Sequence, residues 1–282
     1  MNKEKYADLH IHTDFSDGTF SPEKVVNVAI ERGLSAIAIC DHDCVDGIGP
    51  AIERARTTPL EIIPGVELTV IEKGKEIHLL GYFIAWKEKW FCDILKKVQR
   101  ARIRRIEKMT EKLKAFDINI DKDRVIAIAG GKGSVGRLHM ARALFESKAV
   151  PSIQAAFARY IGGSKPCYVE DIGFGAKEAI EIVLKAKGVP VLAHPVSLRD
   201  DSIIPQLVKY GLRGVEVYHS DHRASLSKKY EKIAQKFNLI ITGGSDCHGM
   251  GKGRILMGSV KVGYNLVEIL KREADSVKHG SE

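Results

Sequence analysis

The segment Tyr6-Ala7-Asp8-Leu9-His10-Ile11-His12-Thr13 alternates polar and apolar residues in the manner of a strand and then runs into a polar loop. Residues two apart on a strand share a face. The imidazoles of His10 and His12 therefore point the same way at the strand's end and can reach one ion, with Asp17 in the loop beyond. Working outward, Ser21-Pro22 opens a helix that runs to about Gly33, with Ser21 as N-cap and Pro22 as first helical residue. Ala36–Cys40 is a short buried strand that ends in Asp41-His42-Asp43, and a second helix runs to about Ala55. Leu60–Ile63 and Glu67–Ile71 flank Pro64-Gly65 as two short strands, and Ile77–Ile84, with His78, is another.

The same alternation resumes late in the chain. Strand Val189–Ala193 follows helix Ala176–Lys187, strand Gly214–Tyr218 follows a helix around Ile203–Tyr210, strand Leu239–Thr242 follows a helix around Ala224–Phe237, and Leu266–Ala274 closes the chain as a helix. The tail Ser276–Glu282 is expected to fray. Repeated βα units make the class α/β with a parallel sheet, open or closed into a barrel. Between about Lys87 and Ile161 no strand is readable. A long basic helix, Phe91–Phe116, and two shorter ones, Arg137–Ser147 and Ser152–Ile161, predict a helical insert. The expected division is barrel over 1–86, substrate-capping insert over 87–164 and barrel again over 165–282.

Composition narrows the class. The chain has 282 residues, 44% hydrophobic and 28% charged, an ordinary globular balance that buries a core without staples. No stretch of about 18 apolar residues is present, so no membrane span is expected. The start reads as strand rather than leader. Five cysteines without paired spacing point to a reducing, cytoplasmic setting rather than a disulfide framework or zinc finger. The net charge of +8 favours polyanions without proving that they bind.

Ionisable residues end almost every proposed strand: His10 and His12, then Asp41-His42-Asp43, Glu67, His194, Glu216 with His219, and Asp246 with His248, while His78 lies within its strand. In a parallel βα barrel those ends converge on one face, where active sites are built. Mixed imidazole and carboxylate ligation suits zinc, manganese or iron better than calcium. The donors are too many for one tetrahedral ion; two or three divalent ions fit better, and multi-metal sites favour phosphoryl displacement. Taken singly, His78 reads equally well as a hydrogen-bonded core residue, and Asp43 and Asp221 as helix N-caps.

At these residues the chain resembles the PHP family, the polymerase and histidinol phosphatase superfamily. The matching motifs are Asp8-Leu9-His10-Ile11-His12-Thr13, Asp41-His42-Asp43, Gly65-Val66-Glu67, His78, Ala193-His194-Pro195 and Ser245-Asp246-Cys247-His248-Gly249. Phe15-Ser16-Asp17-Gly18-Thr19, Val45-Asp46-Gly47, and Gly136-Arg137 with His139 and Ala141-Arg142-Ala143 resemble its stand-alone phosphoesterases, which include enzymes acting on nucleoside 3′,5′-bisphosphates and on 5′ ends of short RNA. The resemblance implies a distorted seven-stranded (β/α) barrel with a helical insert and three metals. His10, His12, Glu67 and Asp246 would hold one ion; bridging Glu67, His78 and His194 a second; and Asp17, His42 and His248 a third. Manganese is the favoured ion, with zinc, iron and magnesium as alternatives. Cys44, Leu138 and Cys247 depart from the subgroup's usual Thr, Pro and bulky residue, and Cys247 is expected to point away from the metals.

The implied reaction is hydrolysis of a phosphate ester by a hydroxide shared between two ions, with Glu67 and Asp246 holding them. His219 is the candidate acid or phosphate contact, with Glu216 to orient it or to serve in a salt bridge. The glycine-rich loop from Gly130 to Arg137 lacks the Lys and Ser/Thr of a P-loop. Ser134, Arg137 and His139 nonetheless lie at a helix start, which favours anions, and are candidates for a second phosphate of the substrate; the alternative is that they pack the insert on the barrel. The basic stretch Lys96, Lys97, Arg100, Arg102, Arg104, Arg105 and Lys108 reads as a solvated helix surface rather than an RNA stripe. The expected substrate is a small phosphorylated nucleotide or short RNA, with no membrane and no obligatory protein partner. The rival readings are a phosphatase of a small metabolite such as histidinol phosphate and a non-catalytic metal-binding module.

Overall fold

A computed structural model describes residues 4–170, 172–198, 200–251 and 253–279. The first strand, β1 (Tyr6–Ile11), is followed by α1 (Pro22–Glu31), β2 (Ala36–Ile39), α2 (Ile48–Ala55), β3 (Glu61–Glu72) and β4 (Lys75–Tyr82). Ser21 caps α1 through its side chain, as read from the sequence. Neither expected aspartate cap forms. Gly47 stands at the N-cap of α2, and Arg223 stands at that of the later helix following Asp221.

Leu60–Ile63 and Glu67–Ile71 are not separate strands. They form one long strand that passes straight through Pro64-Gly65. At its far end the chain reverses over Lys73 and Gly74, both with positive φ, and Glu72 pairs with Lys75. A two-residue turn of that hand makes a hairpin, so β4 runs antiparallel to β3 rather than parallel. His78 and Glu67 therefore lie on the same face of one hairpin.

After β4 come α3 (Lys89–Leu113), α4 (Lys122–Ile128), α5 (Arg137–Glu146) and α6 (Ile153–Ala156), which continues as a π-helical turn over Phe157–Ile161. The short α4 was not foreseen. The first half of α3 packs Phe91, Leu95 and Val98 on the barrel core. Its second half joins Ile106, Met109 and Leu113 to Val125, Met140, Leu144 and Ile161 in an apolar core belonging to these helices. The basic face of α3 is not wholly solvated: Arg102 and Arg105 are 5% and 4% exposed. Arg102 donates from Nε (2.9 Å) and Nη2 (2.7 Å) to Asp43 Oδ2, fastening α3 to the barrel.

The remaining elements are α7 (Ala176–Lys185), β5 (Val189–Leu192), α8 (Ile204–Tyr210), β6 (Gly214–His219), α9 (Ala224–Phe237), β7 (Ile240–Gly244), β8 (Val262–Gly263) and α10 (Tyr264–His279). The helix α10 continues through Ser276 to His279; residues 280–282 lie outside the described residues. The sheet order is β7-β6-β5-β4-β3-β2-β1-β8, with β4 antiparallel to both β3 and β5, and the two-residue β8 antiparallel to β1. The other pairs are parallel. Beyond the strand ends His12 N donates to Cys247 O (3.0 Å), bringing β7 against β1. Gly244 permits this approach, because a Cβ there would lie 2.4 Å from His10 N. The result is a nearly closed, distorted barrel with seven principal strands. Bulges interrupt β1 between Asp8 and Ile11 and β6 between Glu216 and Tyr218, next to the ionisable residues. No helix among the described residues is long and apolar enough to cross a membrane.

Removing one partner of a buried, hydrogen-bonded ion pair strands the other charge. Arg102→Ala is expected to lower stability by about 3 kcal/mol or more. Urea unfolding would read this, and a midpoint equal to wild type would show that the Asp43 contact does not hold the insert.

Candidate metal centre

Glu67 lies at the centre of the strand ends, 1% exposed. Five imidazoles reach its two oxygens. His10 Nε2, His12 Nε2 and His42 Nδ1 stand 3.3, 3.2 and 3.2 Å from Oε2, and His78 Nδ1 and His194 Nε2 each stand 2.9 Å from Oε1. Asp246 Oδ1 lies 3.1 Å from His12 Nε2, and Asp17 Oδ1 lies 3.1 Å from His248 Nε2. Donor atoms close enough to share an ion occur in His10, His12 and Glu67; in His42, Glu67 and His78; in His12, Asp17, His42 and His248; and in His10, His219 and Asp246. All nine residues expected as ligands thus meet on one face of the barrel.

The charge balance fits cations. Burial pushes the Glu67 carboxyl up, but His42, His78 and His10 outweigh it and hold it well below the carboxylate range. Burial likewise works against a charged His78, yet Glu67 and Glu76 raise it to about 10. Carboxylates with so strong a demand for positive charge suit divalent ions, which displace the protons. Glu67 Oε2, Asp17 Oδ1 and His42 Nδ1 are buried and, close as the neighbouring donors and acceptors lie, make no aligned hydrogen bond among the described residues. Those orphaned atoms, on a donor set of imidazole and carboxylate, fit a metal centre rather than a hydrogen-bonded core.

Three further buried aspartates fix this arrangement, and each grips the N–H and hydroxyl of one Ser or Thr. Asp8 takes Ser245 N (2.8 Å) and Oγ (2.6 Å), tying β1 to the loop that carries Asp246 and His248. Asp41 takes Thr13 N (2.7 Å) and Oγ1 (2.7 Å), holding the loop that carries Asp17. Asp43 takes Thr69 N and Oγ1, both at 2.9 Å. The sequence motifs contained these aspartates, but spacing alone did not separate holders from ligands.

Glu216 does not orient His219. Its Oε1 lies 3.0 Å from His10 Nδ1, and its Oε2 accepts from His194 N at 2.8 Å. His219 is turned instead by Asp221 N, which donates to its Nδ1 (3.1 Å), leaving Nε2 3.4 Å from Asp246 Oδ2. Cys247 packs in the apolar core, away from the cluster.

A cavity of about 110 Å³ opens beside the cluster, lined by Asp17, His42, Glu76 and His78 from the barrel and by Arg102, Arg105, Ser134 and Arg137 from the insert. It adjoins a larger cleft of about 630 Å³ lined by Glu76, His78, Arg137, Tyr168 and His194. Ser134 is 2% exposed, and its Oγ has no partner among the described residues. The loop carrying it fits only because residue 133 is glycine, with φ of +62° and Phe15 O where a Cβ would stand. His139 departs from expectation. It is 1% exposed, and its Nδ1 accepts the Gly136 N–H at 3.0 Å, closing the first turn of α5 instead of facing the cavity. Arg142 Nη2 donates to Asp17 O (2.9 Å), so α5 also braces the Asp17 loop.

Comparison with known proteins agrees with this geometry. A family model described as "PHP domain" matches residues 8–167. The chain is 29% identical over 251 residues to a 3′,5′-nucleoside bisphosphate phosphatase of Chromobacterium violaceum, covering 87% of this chain and 88% of that one. It is 30% identical over 267 residues to a 5′-3′ exoribonuclease of Haemophilus influenzae, covering 93% and 94%. Among solved structures, a protein from Bifidobacterium adolescentis assigned as a metal-dependent phosphoesterase superposes with a TM-score of 0.86 at 30% identity, covering 94% of each chain.

Burial pushes the His139 imidazole down to about 4, against an ordinary 6.5. A histidine depressed in the fold gives stability that is present above pH 6.5 and lost as pH falls through 4. The full loss is about 3 kcal/mol. His139→Gln, which can still reach the Gly136 N–H, is expected to remove this contribution from the pH dependence of thermal unfolding. A variant that loses as much stability as wild type between pH 6.5 and 4 would refute it.

Proposed function

Because the chain belongs to the PHP domain family and is a hydrolase of phosphoester bonds, we propose that it acts on phosphorylated nucleotides, removing the 3′-phosphate of nucleoside 3′,5′-bisphosphates and attacking 5′ ends of short RNA. The observation that carries this reading is one cavity lined both by metal-ligand candidates and by cationic and hydroxyl side chains of the insert. A substrate with two phosphates can use both sets of residues; a monophosphate of a small amine-bearing metabolite leaves the second set unused. The relatives named as acting on nucleotides and RNA support the same class.

The ligand assignment proposed is His10, His12, Glu67 and Asp246 for one ion, Glu67, His78 and His194 for a second, and Asp17, His42 and His248 for a third, with His12 in reach of the last. Two or three divalent ions, manganese by preference, supply Lewis acidity and a nucleophile at neutral pH. Around them the chain's own groups do the rest. Glu67 spans two ligand groups, and Glu216 and Asp8 keep His10 and the Asp246 loop in register. His219 accepts the Asp221 N–H at Nδ1, so its neutral ring carries the proton on Nε2, the atom facing the cluster. From there it donates to the leaving oxygen. Ser134 Oγ and the Arg137 guanidinium hold the second phosphate. The helical insert over 87–164 thereby serves as the substrate cap between barrel segments 1–86 and 165–282. Among the described residues the five cysteines form no disulfide, which suits a cytoplasmic enzyme.

Two outcomes test the reading. Asp246→Asn is expected to abolish nearly all phosphate release while leaving the unfolding midpoint close to wild type, and chelation followed by manganese is expected to remove and restore activity in the parent; an active Asp246→Asn protein would refute the site. Arg137→Ala is expected to cost about 10- to 100-fold in kcat/KM on adenosine 3′,5′-bisphosphate, as a charge-assisted contact of about 1.5–3 kcal/mol. It should cost little on a monophosphate. Equal losses on both, or turnover of histidinol phosphate in place of the bisphosphate, would overturn the assignment of the second phosphate.

A further inference from the structure

Glu76 is a carboxylate on the wall of a cleft that otherwise suits an anion, and its surroundings give it a task. It lies on β4 two residues before His78, lines both cavities, and is 16% exposed in its side chain. Its Oε1 accepts from Arg137 Nη2 at 2.8 Å and stands 3.4 Å from His78 Nε2. Its Oε2 stands 3.7 Å from Arg105 Nη2. Both arginines come from the insert, Arg105 from α3 and Arg137 from the first residue of α5, and both lie over the Tyr168 ring.

The other nitrogen of His78 faces inward. Nδ1 is 2.9 Å from Glu67 Oε1 and 3.3 Å from His194 Nε2. A ring that offers its Nδ1 lone pair to a cation must carry its proton on Nε2, and that proton needs an acceptor. Glu76 supplies one. It is not itself placed to ligate, because it sits on the outer nitrogen and belongs to none of the donor groups. We infer that Glu76 is a positioning residue that fixes the tautomer and orientation of His78 and ties it to Arg105 and Arg137, so that the metal centre and the anion-binding wall share one carboxylate. The inference rests on the metal-centre reading above. It adds a consequence: an anion that draws Arg137 away leaves Glu76 wholly to His78, so substrate and metal reinforce each other's binding.

The test is manganese titration of chelator-stripped protein, with free Mn²⁺ followed by electron paramagnetic resonance. In Glu76→Ala one class of site is expected to weaken about 10- to 100-fold, the usual effect of losing such a partner. Glu76→Gln, still an acceptor, should fall between Ala and wild type. Arg137→Ala, which likewise leaves Glu76 to His78, should raise KM while manganese binds at least as tightly as in wild type. Should Glu76→Ala fail to fold, the Gln variant decides. Wild-type loading with unchanged affinity in the Gln variant and in any folded Ala variant would overturn the role of Glu76 alone. A wild-type protein that binds no manganese would bring down the metal centre, and this inference with it.

Discussion

The structure is arranged around one buried carboxylate. Glu67 presents two oxygens to five imidazoles from β1, the loop after β2, β4 and the end of β5. A charge in so dry a place is tolerated only when opposite charge surrounds it. Every strand or loop that supplies a histidine must therefore bring it to the same height, and the barrel's irregularities serve that need. The bulges in β1 and β6 fall beside His10 and Glu216, and Gly244 lets β7 close against His10.

Convergence of this kind needs rigid loops, because the ligands after β1, β2 and β7 lie just past the strands. The aspartates at 8, 41 and 43 provide the rigidity, each taking two donors from a single Ser or Thr on or just past a neighbouring strand. A buried carboxylate that accepts paired N–H and O–H bonds fixes both backbone and side chain of its partner, and Asp43 has the Arg102 guanidinium as counter-ion besides. These residues explain why aspartate and histidine are interleaved in Asp8-Leu9-His10 and Asp41-His42-Asp43: one type stitches, the other faces the cluster.

The insert is joined to the same centre through polar contacts. Arg102 reaches Asp43, Arg142 reaches the Asp17 backbone, and Arg105 and Arg137 reach Glu76. The first half of α3 packs into the barrel core, while the rest of the insert has an apolar core of its own. The insert's share of the cavity lining is thus carried largely by helices with a core of their own, and ion pairs tie them to the cluster.

The sequence by itself determined the α/β class, the run of barrel strands at both ends, the long helix and two shorter ones between them and, through the family resemblance of its motifs, nine residues that meet in the cluster. Those features are written in local periodicity and in the repeated placement of His, Asp and Glu after apolar runs, as at His10, His42, His194 and His248. Only the tertiary structure decided the hairpin that turns β4 around, because a Lys73-Gly74 turn looks like any polar break until its two positive φ angles are known. It also decided which carboxylates hold the loops and which face the cluster, that Glu216 serves His10, that His139 closes a helix turn, and that Arg102 and Arg105 are buried. Those assignments depend on which neighbour a side chain meets across the fold. Spacing along the chain carries no information about contacts between residues tens or hundreds of positions apart.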